Sequence, residues 1–263
     1  MSGQETEARG SGKMASTLYI SHNGLTEPLG RSQVVPYLQG LWKRGHRFDV
    51  LSFEPAGHPF LGRLGLLWPH TAHIREPGSG WASKILDFDG GVKAAVESLE
   101  RGHRARSPVD LIHCRSYLPC AMGLFARHNF FARGEGGRRW SRQLLKLSRT
   151  DRPFPGRTVP KVIFDLRGFL PQEYIDAKHW SVLSSRYLLS KAVEAQLLAT
   201  VDAVVVLTQR AKSFLETWYE QSAVDPPPLR VIPCCVDTQR FRRDEVTGNR
   251  IRERLGFTGP VMV

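Results

Sequence analysis

The chain has 263 residues, 41% of them hydrophobic and 10% aromatic, and carries a formal net charge of +12. This length and hydrophobic content are sufficient for one large domain or two small domains with a buried core. The charge favours anionic partners, namely phosphate-bearing ligands, acidic lipids or nucleic acid, and does not select among them. No apolar run has the length of a signal peptide or a membrane span, which predicts a cytoplasmic chain with a disordered tail over 1–16.

The cysteines do not form a metal-binding pattern. They stand at positions 114, 120, 234 and 235, with no C-x-x-C pair and no zinc spacing. Two isolated cysteines and one adjacent pair are typical of buried thiols in a reducing compartment. We therefore expect no metal site and no disulfide framework.

The loop after the first predicted strand, 17–21, is a candidate anion site. It holds Gly24 and Gly30, and we expect Ser32 to cap the helix that follows. The free N–H groups at a helix N-terminus attract phosphate, and Arg31 adds a cation there. The dinucleotide fingerprint and the P-loop motif are both absent, and ordinary turn chemistry is the alternative role for the two glycines.

Polar residues follow the predicted strands at their carboxyl ends. The set comprises Asn23, Arg115, Asp165, Arg167 and Thr208. Ligands of open α/β sheets bind outside the carboxyl ends of the strands, so we expect these side chains to lie at one edge of the sheet. A salt-bridged loop that only fastens a turn is the alternative for Asp165 and Arg167.

The alternation of strands and helices predicts the fold class. About seven short apolar strands alternate with helical segments, although only one strand, near 72–75, can be recognised between residues 54 and 80. Such alternation favours a doubly wound, mostly parallel α/β sheet with helices on both faces.

One segment concentrates the positive charge. Residues 133–157 contain eight Lys or Arg and two Asp or Glu, so eight minus two gives +6, half the net charge of the chain. Leucines and a tryptophan interleave with the cations, which predicts a basic amphipathic helix on an anionic membrane. A solvated insertion loop is the alternative.

Five blocks of sequence, in this order, resemble the amino-terminal domain of glycosyltransferase family 4. They read TEPLGRSQVVPYLQGLWKRGH, DLIHCRSYLPCAMG, FDLRGFLPQEYIDAKHW, DAVVVLTQRAK and VIPCCVDTQRF, and the resemblance covers residues 18–263. It implies a GT-B enzyme, in which two Rossmann-like domains face each other across a cleft. Such enzymes transfer a sugar from a nucleotide-sugar donor with retention of configuration, without a metal cofactor.

The resemblance also implies a domain organisation. Residues 17–240 correspond to the Rossmann-like domain that receives a glycan or lipid-linked acceptor, and residues 241–263 to a linker and the first elements of a donor-binding domain. We therefore expect the isolated chain to be inactive unless a carboxyl-terminal domain or a complementing chain supplies the donor site.

The same resemblance suggests roles for individual residues. The first-strand loop would approach the donor phosphate and the acceptor, Arg115 would bind an anion or a hydroxyl, and Asp165 would orient an acceptor hydroxyl. The catalytic candidates are Arg115, Asp165 and Arg167. The substrate-binding candidates are Asn23, Gly24, Gly30, Arg31, Gly168, Glu173 and Thr208.

Two alternatives stay open. The chain could be a non-catalytic basic module that attaches to anionic membrane, on its inner face, through residues 133–157. Nucleic acid is not expected, because no stacking motif or recognition-helix pattern is present. The chain could also be a truncated product without activity.

Overall fold

The chain folds into two compact units, 1–233 and 234–263. The structure is a computed structural model, and it describes residues 14–55, 68–75, 81–132, 159–236, 238, 242–257 and 259. The predicted basic helix in 133–157 lies outside these residues, as do the predicted tail up to residue 13 and most of 258–263. The boundary expected at 240/241 stays a prediction.

A parallel sheet forms the centre of the first unit. Its seven strands within the described residues have the order β3-β2-β1-β4-β5-β6-β7, and every neighbouring pair is parallel. The strands are β1 Ser16–Ser21, β2 Arg47–Glu54, β3 His70–Ile74, β4 Leu111–Arg115, β5 Lys161–Asp165, β6 Ala203–Val206 and β7 Leu229–Val231. The fold-class prediction is confirmed.

Helices follow the strands in alternation. They are α1 Val35–Trp42, α2 Trp81–Arg104, α3 Tyr117–Ala132, α4 Leu170–Asp176, α5 Ser185–Thr200 and α6 Gln209–Ser222, with α7 Glu245–Arg254 in the second unit. None of the helices in the described part of the chain is long and apolar enough to cross a bilayer. The short α4 was not predicted, although a proline and an acidic residue in its first turn are typical of a helix start.

The sheet buries apolar side chains on both faces. One face, which includes Ile20 and Phe164, belongs to the larger core with residues of α2, α3, α5 and α6. The other face, which includes Tyr19 and Val50, packs with Leu38 of α1 in a smaller core. Helices therefore lie on both faces, because alternate residues of a strand point to opposite sides.

The first helical segment begins differently from the prediction. Ser32 is not its N-cap but lies inside a π-helical turn, Gly30–Val34, and its hydroxyl donates to the carbonyl of Pro28 at 2.7 Å. The N–H of Val35 bonds to the carbonyl of Gly30, five residues back. Pro36 explains the widened turn, since it lacks an N–H and its ring crowds the carbonyl four residues earlier.

Two other local predictions are corrected. Ser184 rather than Ser181 caps α5, because its side chain accepts the N–H of Tyr187, while Ser181 closes the turn before the helix. Cys234 and Cys235 are exposed, whereas the cysteines at 114 and 120 are buried as expected. The vicinal pair follows the last strand of the sheet, β7.

Candidate functional site

Four charged or titratable side chains meet at the carboxyl ends of β4 and β5. Asp165 accepts from Arg167 at 3.4 Å, and its other oxygen lies 3.5 Å from Nε2 of His113 and 3.8 Å from Nη1 of Arg115. The register pairs Arg115 with Asp165, so neighbouring strands deliver these groups to the same level. The expected meeting of Arg115, Asp165 and Arg167 is found.

Gln33 joins this group to the first loop. Its Oε1 accepts from Nη2 of Arg115 at 2.7 Å and from Nη2 of Arg167 at 3.4 Å. Gln33 lies in the π-helical turn, which begins at Gly30. We call Gln33, His113, Arg115, Asp165 and Arg167 the edge cluster. Gln33 was not singled out from the sequence, because a glutamine inside a helix has no motif around it.

The cluster holds Asp165 in its ionised form. Burial raises the pKa of this carboxyl, but the hydrogen bond and charge of His113 and the charges of Arg167 and Arg115 outweigh it, and the pKa lies below its ordinary value. Asp165 is only 5% exposed. Its oxygens therefore face the cluster, and its immediate effect is to orient the two guanidinium groups.

Tyr19 closes the cluster from β1. Its ring centroid is 4.7 Å from that of His113, and its hydroxyl hydrogen-bonds with Arg115. Burial and the charge of Asp165 raise the pKa of Tyr19 above its ordinary value. The phenol therefore stays neutral and serves as a hydrogen-bonding wall.

The two glycines of the first loop pack against backbone and side chain. A Cβ on Gly30 would overlap the carbonyl oxygen of Gly24 and would lie 2.7 Å from the Cα of Leu25. A Cβ on Gly24 would lie 2.5 Å from a carboxylate oxygen of Glu54. Close approach requires glycine at both positions, which fits the alternative of turn packing; their predicted contact with donor phosphate stays a prediction.

Glu54, at the end of β2, organises this loop and was not singled out from the sequence. It accepts from the backbone N–H groups of Leu25 and Thr26 and from the hydroxyls of Thr26 and Ser52. Burial raises the pKa of Glu54, but these hydrogen bonds outweigh it, and the pKa lies below its ordinary value. The ionised carboxylate thus holds the loop in place through its hydrogen bonds to Leu25 and Thr26.

Two further candidates, Asn23 and Arg31, lie in the first loop and in the π-helical turn that follows it. The carbonyl of Asn23 accepts from the hydroxyl of Ser21 at 3.0 Å, and the side chain of Asn23 is half-buried. Arg31 is exposed, and the structure shows no ion pair for it among the described residues. Their predicted contacts with substrate stay predictions.

A pocket of about 460 Å³ opens beside the edge cluster. It lies at the carboxyl ends of β5 and β6, between α4 and α6. Its apolar lining includes Leu166, Phe169, Val206, Ala211 and Phe214, and its polar lining includes Arg167, Gln172, Glu173, Thr208 and Arg210. Because Arg167 belongs to both, the cluster and the pocket form one continuous site.

The polar wall of the pocket has distinct chemical features. The carboxylate of Glu173 lies against Gly168, where any side chain would displace it. Thr208 caps α6 by accepting the N–H of Ala211 at 3.1 Å. The Oε1 of Gln172 is buried without a hydrogen-bond partner among the described residues, while its amide donates to the hydroxyl of Tyr187. Gln172 therefore keeps one unused acceptor at the pocket wall.

The described residues hold no group of three or more His, Cys, Asp or Glu side chains able to bind a metal ion. The expectation of a metal-independent reaction stays a prediction.

Comparisons with known proteins give similarities to solved structures. No protein-family model and no curated protein matches the chain. Sucrose-phosphate synthase from Thermosynechococcus elongatus is similar at 14% identity and a TM-score of 0.44, over 92% of this chain and 99% of that one. Apo UGT2 of Phytolacca americana is similar at 11% identity and a TM-score of 0.48, over 86% of this chain.

A third similarity is to UGT71G1 of Medicago truncatula, in complex with UDP-glucose. The identity is 12% and the TM-score 0.44, over 93% of this chain. The matched region spans 53% of the Phytolacca structure and 57% of the Medicago structure, about half the length of each.

Proposed function

We propose that this chain is the acceptor-side Rossmann-like domain of a retaining glycosyltransferase that uses a nucleotide-sugar donor. One observation carries the proposal: a pocket with apolar and hydrogen-bonding walls adjoins the buried guanidinium of Arg115 and the partly buried guanidinium of Arg167 at the carboxyl edge of the sheet. Five ordered sequence blocks that resemble family 4 glycosyltransferases support the reaction class.

The pocket suits a sugar or another hydroxylated acceptor. Saccharides present apolar ring faces and many hydroxyls, which match aromatic side chains such as Phe169 and Phe214 and the hydrogen-bonding groups of Gln172 and Glu173. In the proposal, the carboxylate of Glu173 accepts a hydrogen bond from an acceptor hydroxyl and orients it. Asp165 acts as a positioning residue for Arg167.

The guanidinium groups suit the charge that the reaction develops. Breaking the bond between a sugar and a nucleotide releases a phosphate with added negative charge, and fixed cations stabilise such charge. Arg115 and Arg167 are held by Asp165 and Gln33, so their reorganisation during the reaction is small. In the proposal, Arg167 faces both substrates, because it lines the pocket as well as the cluster.

A turnover assay tests whether this chain supplies only the acceptor side of the reaction. The chain is incubated with radiolabelled nucleotide sugars and with saccharide and glycolipid acceptors, and both transfer and nucleotide release are measured. We expect negligible turnover from the chain alone, since the donor-binding domain holds the nucleotide. Robust turnover of any nucleotide sugar would refute the acceptor-side role and leave glycosyl transfer standing.

A further inference from the structure

The start of α5 and the turn before it expose four large apolar side chains together. They are Val182 at 53%, Leu183 at 84%, Leu188 at 56% and Leu189 at 57% exposure. We call these four residues the apolar ridge. Leu188 and Leu189 lie on one side of the helix with Ser185 and Ala192, which are also exposed, so the buried face of α5 is the opposite one.

The ridge lies at the same edge of the sheet as the pocket. β5 ends at this edge, and α5 runs back to the start of β6, so the first turn of α5 is near the carboxyl ends of the strands. Gln172 of the pocket wall donates to the hydroxyl of Tyr187 at 2.9 Å. This hydrogen bond joins the pocket wall to the turn of α5 that carries Leu188.

Two exposed cations lie beside the ridge. Between Asp176 and Glu194 the chain has two lysines and one arginine, of which Lys191 pairs with Glu194. Lys178 and Arg186 are exposed, and neither has an ion pair within the described part of the chain. Apolar side chains beside two exposed cations complement a bilayer whose headgroups are anionic, whereas a protein surface would have to supply both apolar area and carboxylates.

Two aromatic rings stand beside the ridge. Trp180 stacks on Tyr174, with ring centroids 4.4 Å apart, and Tyr174 is 38% exposed. Tryptophan and tyrosine favour the level of lipid headgroups, where an apolar ring and a polar atom are both accommodated.

We propose that the apolar ridge docks on an anionic lipid bilayer and places the pocket at the membrane surface. The proposal rests on the proposed function and names the source of its acceptor, a lipid-linked saccharide. It assigns docking to residues of α5 and the turn before it rather than to residues 133–157.

Vesicle sedimentation tests the docking without any sugar. Wild-type chain is mixed with phosphatidylcholine vesicles that contain or lack phosphatidylglycerol. We expect binding to the anionic vesicles, and a loss of about tenfold or more when Leu183, Leu188 and Leu189 are replaced by serine. The matched control is Val246→Ser, which changes a side chain 70% exposed in the second unit and should bind as wild type. Thermal melts confirm that each variant is folded.

A second readout follows the tryptophan. Brominated lipids quench indoles at the membrane interface, so we expect quenching in wild type that is reduced in Trp180→Phe. Equal pelleting of wild type and the ridge variant overturns the proposal. The proposal is also overturned if vesicle binding is lost only when the cations of residues 133–157 are replaced. It is overturned as well if the ridge substitutions only convert a dimer to a monomer. A failed vesicle experiment would not contradict the proposed function, because saccharide binding in solution tests that function separately.

Discussion

Nη2 of Arg115 donates to Oε1 of Gln33 at 2.7 Å, across 82 residues of sequence. The contact joins the end of β4 to the π-helical turn that follows the first loop. Arg115 is 6% exposed, so this hydrogen bond is formed away from water, where losing a partner is expensive. A change in the first loop is therefore expected to shift the edge cluster through this hydrogen bond.

Replacing Gln33 tests this coupling. In Gln33→Leu the buried guanidinium of Arg115 loses its closest acceptor, and we expect the free energy of unfolding to fall by about 1 to 3 kcal/mol. Urea denaturation measures it. Gln39→Leu, six residues further along in α1, is the control and should change stability little. Equal effects of the two substitutions would show that the Arg115 contact contributes nothing specific.

Neutralising Asp165 should lower the free energy of unfolding more than replacing Gln33 does. Asp165→Asn keeps the size of the side chain but leaves Arg115 and Arg167 without their shared anion, so we expect a loss of about 3 kcal/mol in the free energy of unfolding. Asp176→Asn, at an exposed position of α4, is the matched control. A stability of Asp165→Asn within about 0.5 kcal/mol of wild type would contradict an ionised, partnered Asp165.

Two glycines of one helical segment should respond in opposite directions. Gly30→Ala forces a Cβ into the backbone of residues 24 and 25, and we expect it to destabilise by about 1 to 3 kcal/mol. A Cβ on Gly40 would meet only a side-chain nitrogen of Arg44 at 3.8 Å, so Gly40→Ala should stabilise by up to about 1 kcal/mol. Thermal denaturation of both variants checks the signs, and a Gly30→Ala variant at least as stable as wild type would refute the close approach.

Acidification should destabilise the first unit in two stages. Burial lowers the pKa of His70 and of His22 from 6.5, so the unfolded chain binds these protons more tightly and stability falls as pH drops below 6.5. Glu54 and Asp165 also have lowered pKa values, and their contribution is lost at more acidic pH, below 4.5 and 3.8 respectively. His70→Gln should make the first stage shallower in urea titrations; an unchanged slope would exclude His70 as its source.

Much of the fold was predictable, because strand periodicity and alternation depend on local apolar pattern. Arg115, Asp165 and Arg167 could be placed together for the same reason, since each follows or ends a parallel strand. Gln33 and Glu54 could not be identified as site residues from the sequence. Their hydrogen-bond partners are distant in sequence and are brought close only by the order of the strands in the sheet.

Helix starts were the least predictable local features. Ser32 and Ser181 are both good capping residues by type, yet a proline widens the first turn, and a competing serine three residues later caps α5. The roles of the substrate-binding candidates depend on a ligand, and they stay predictions.

Saccharide binding to the pocket tests the central claim most directly. Saturation-transfer difference NMR is recorded on the chain with a panel of free saccharides and detergent-solubilised glycolipids, for wild type, Gln172→Leu and Gln221→Leu. Gln221 is an exposed glutamine on α6 and serves as the control. We predict that wild type and Gln221→Leu bind at least one acceptor, and that Gln172→Leu binds it about tenfold more weakly, the effect of one hydrogen bond. Binding of no saccharide, or equal binding by Gln172→Leu and wild type, would contradict an acceptor site in this pocket.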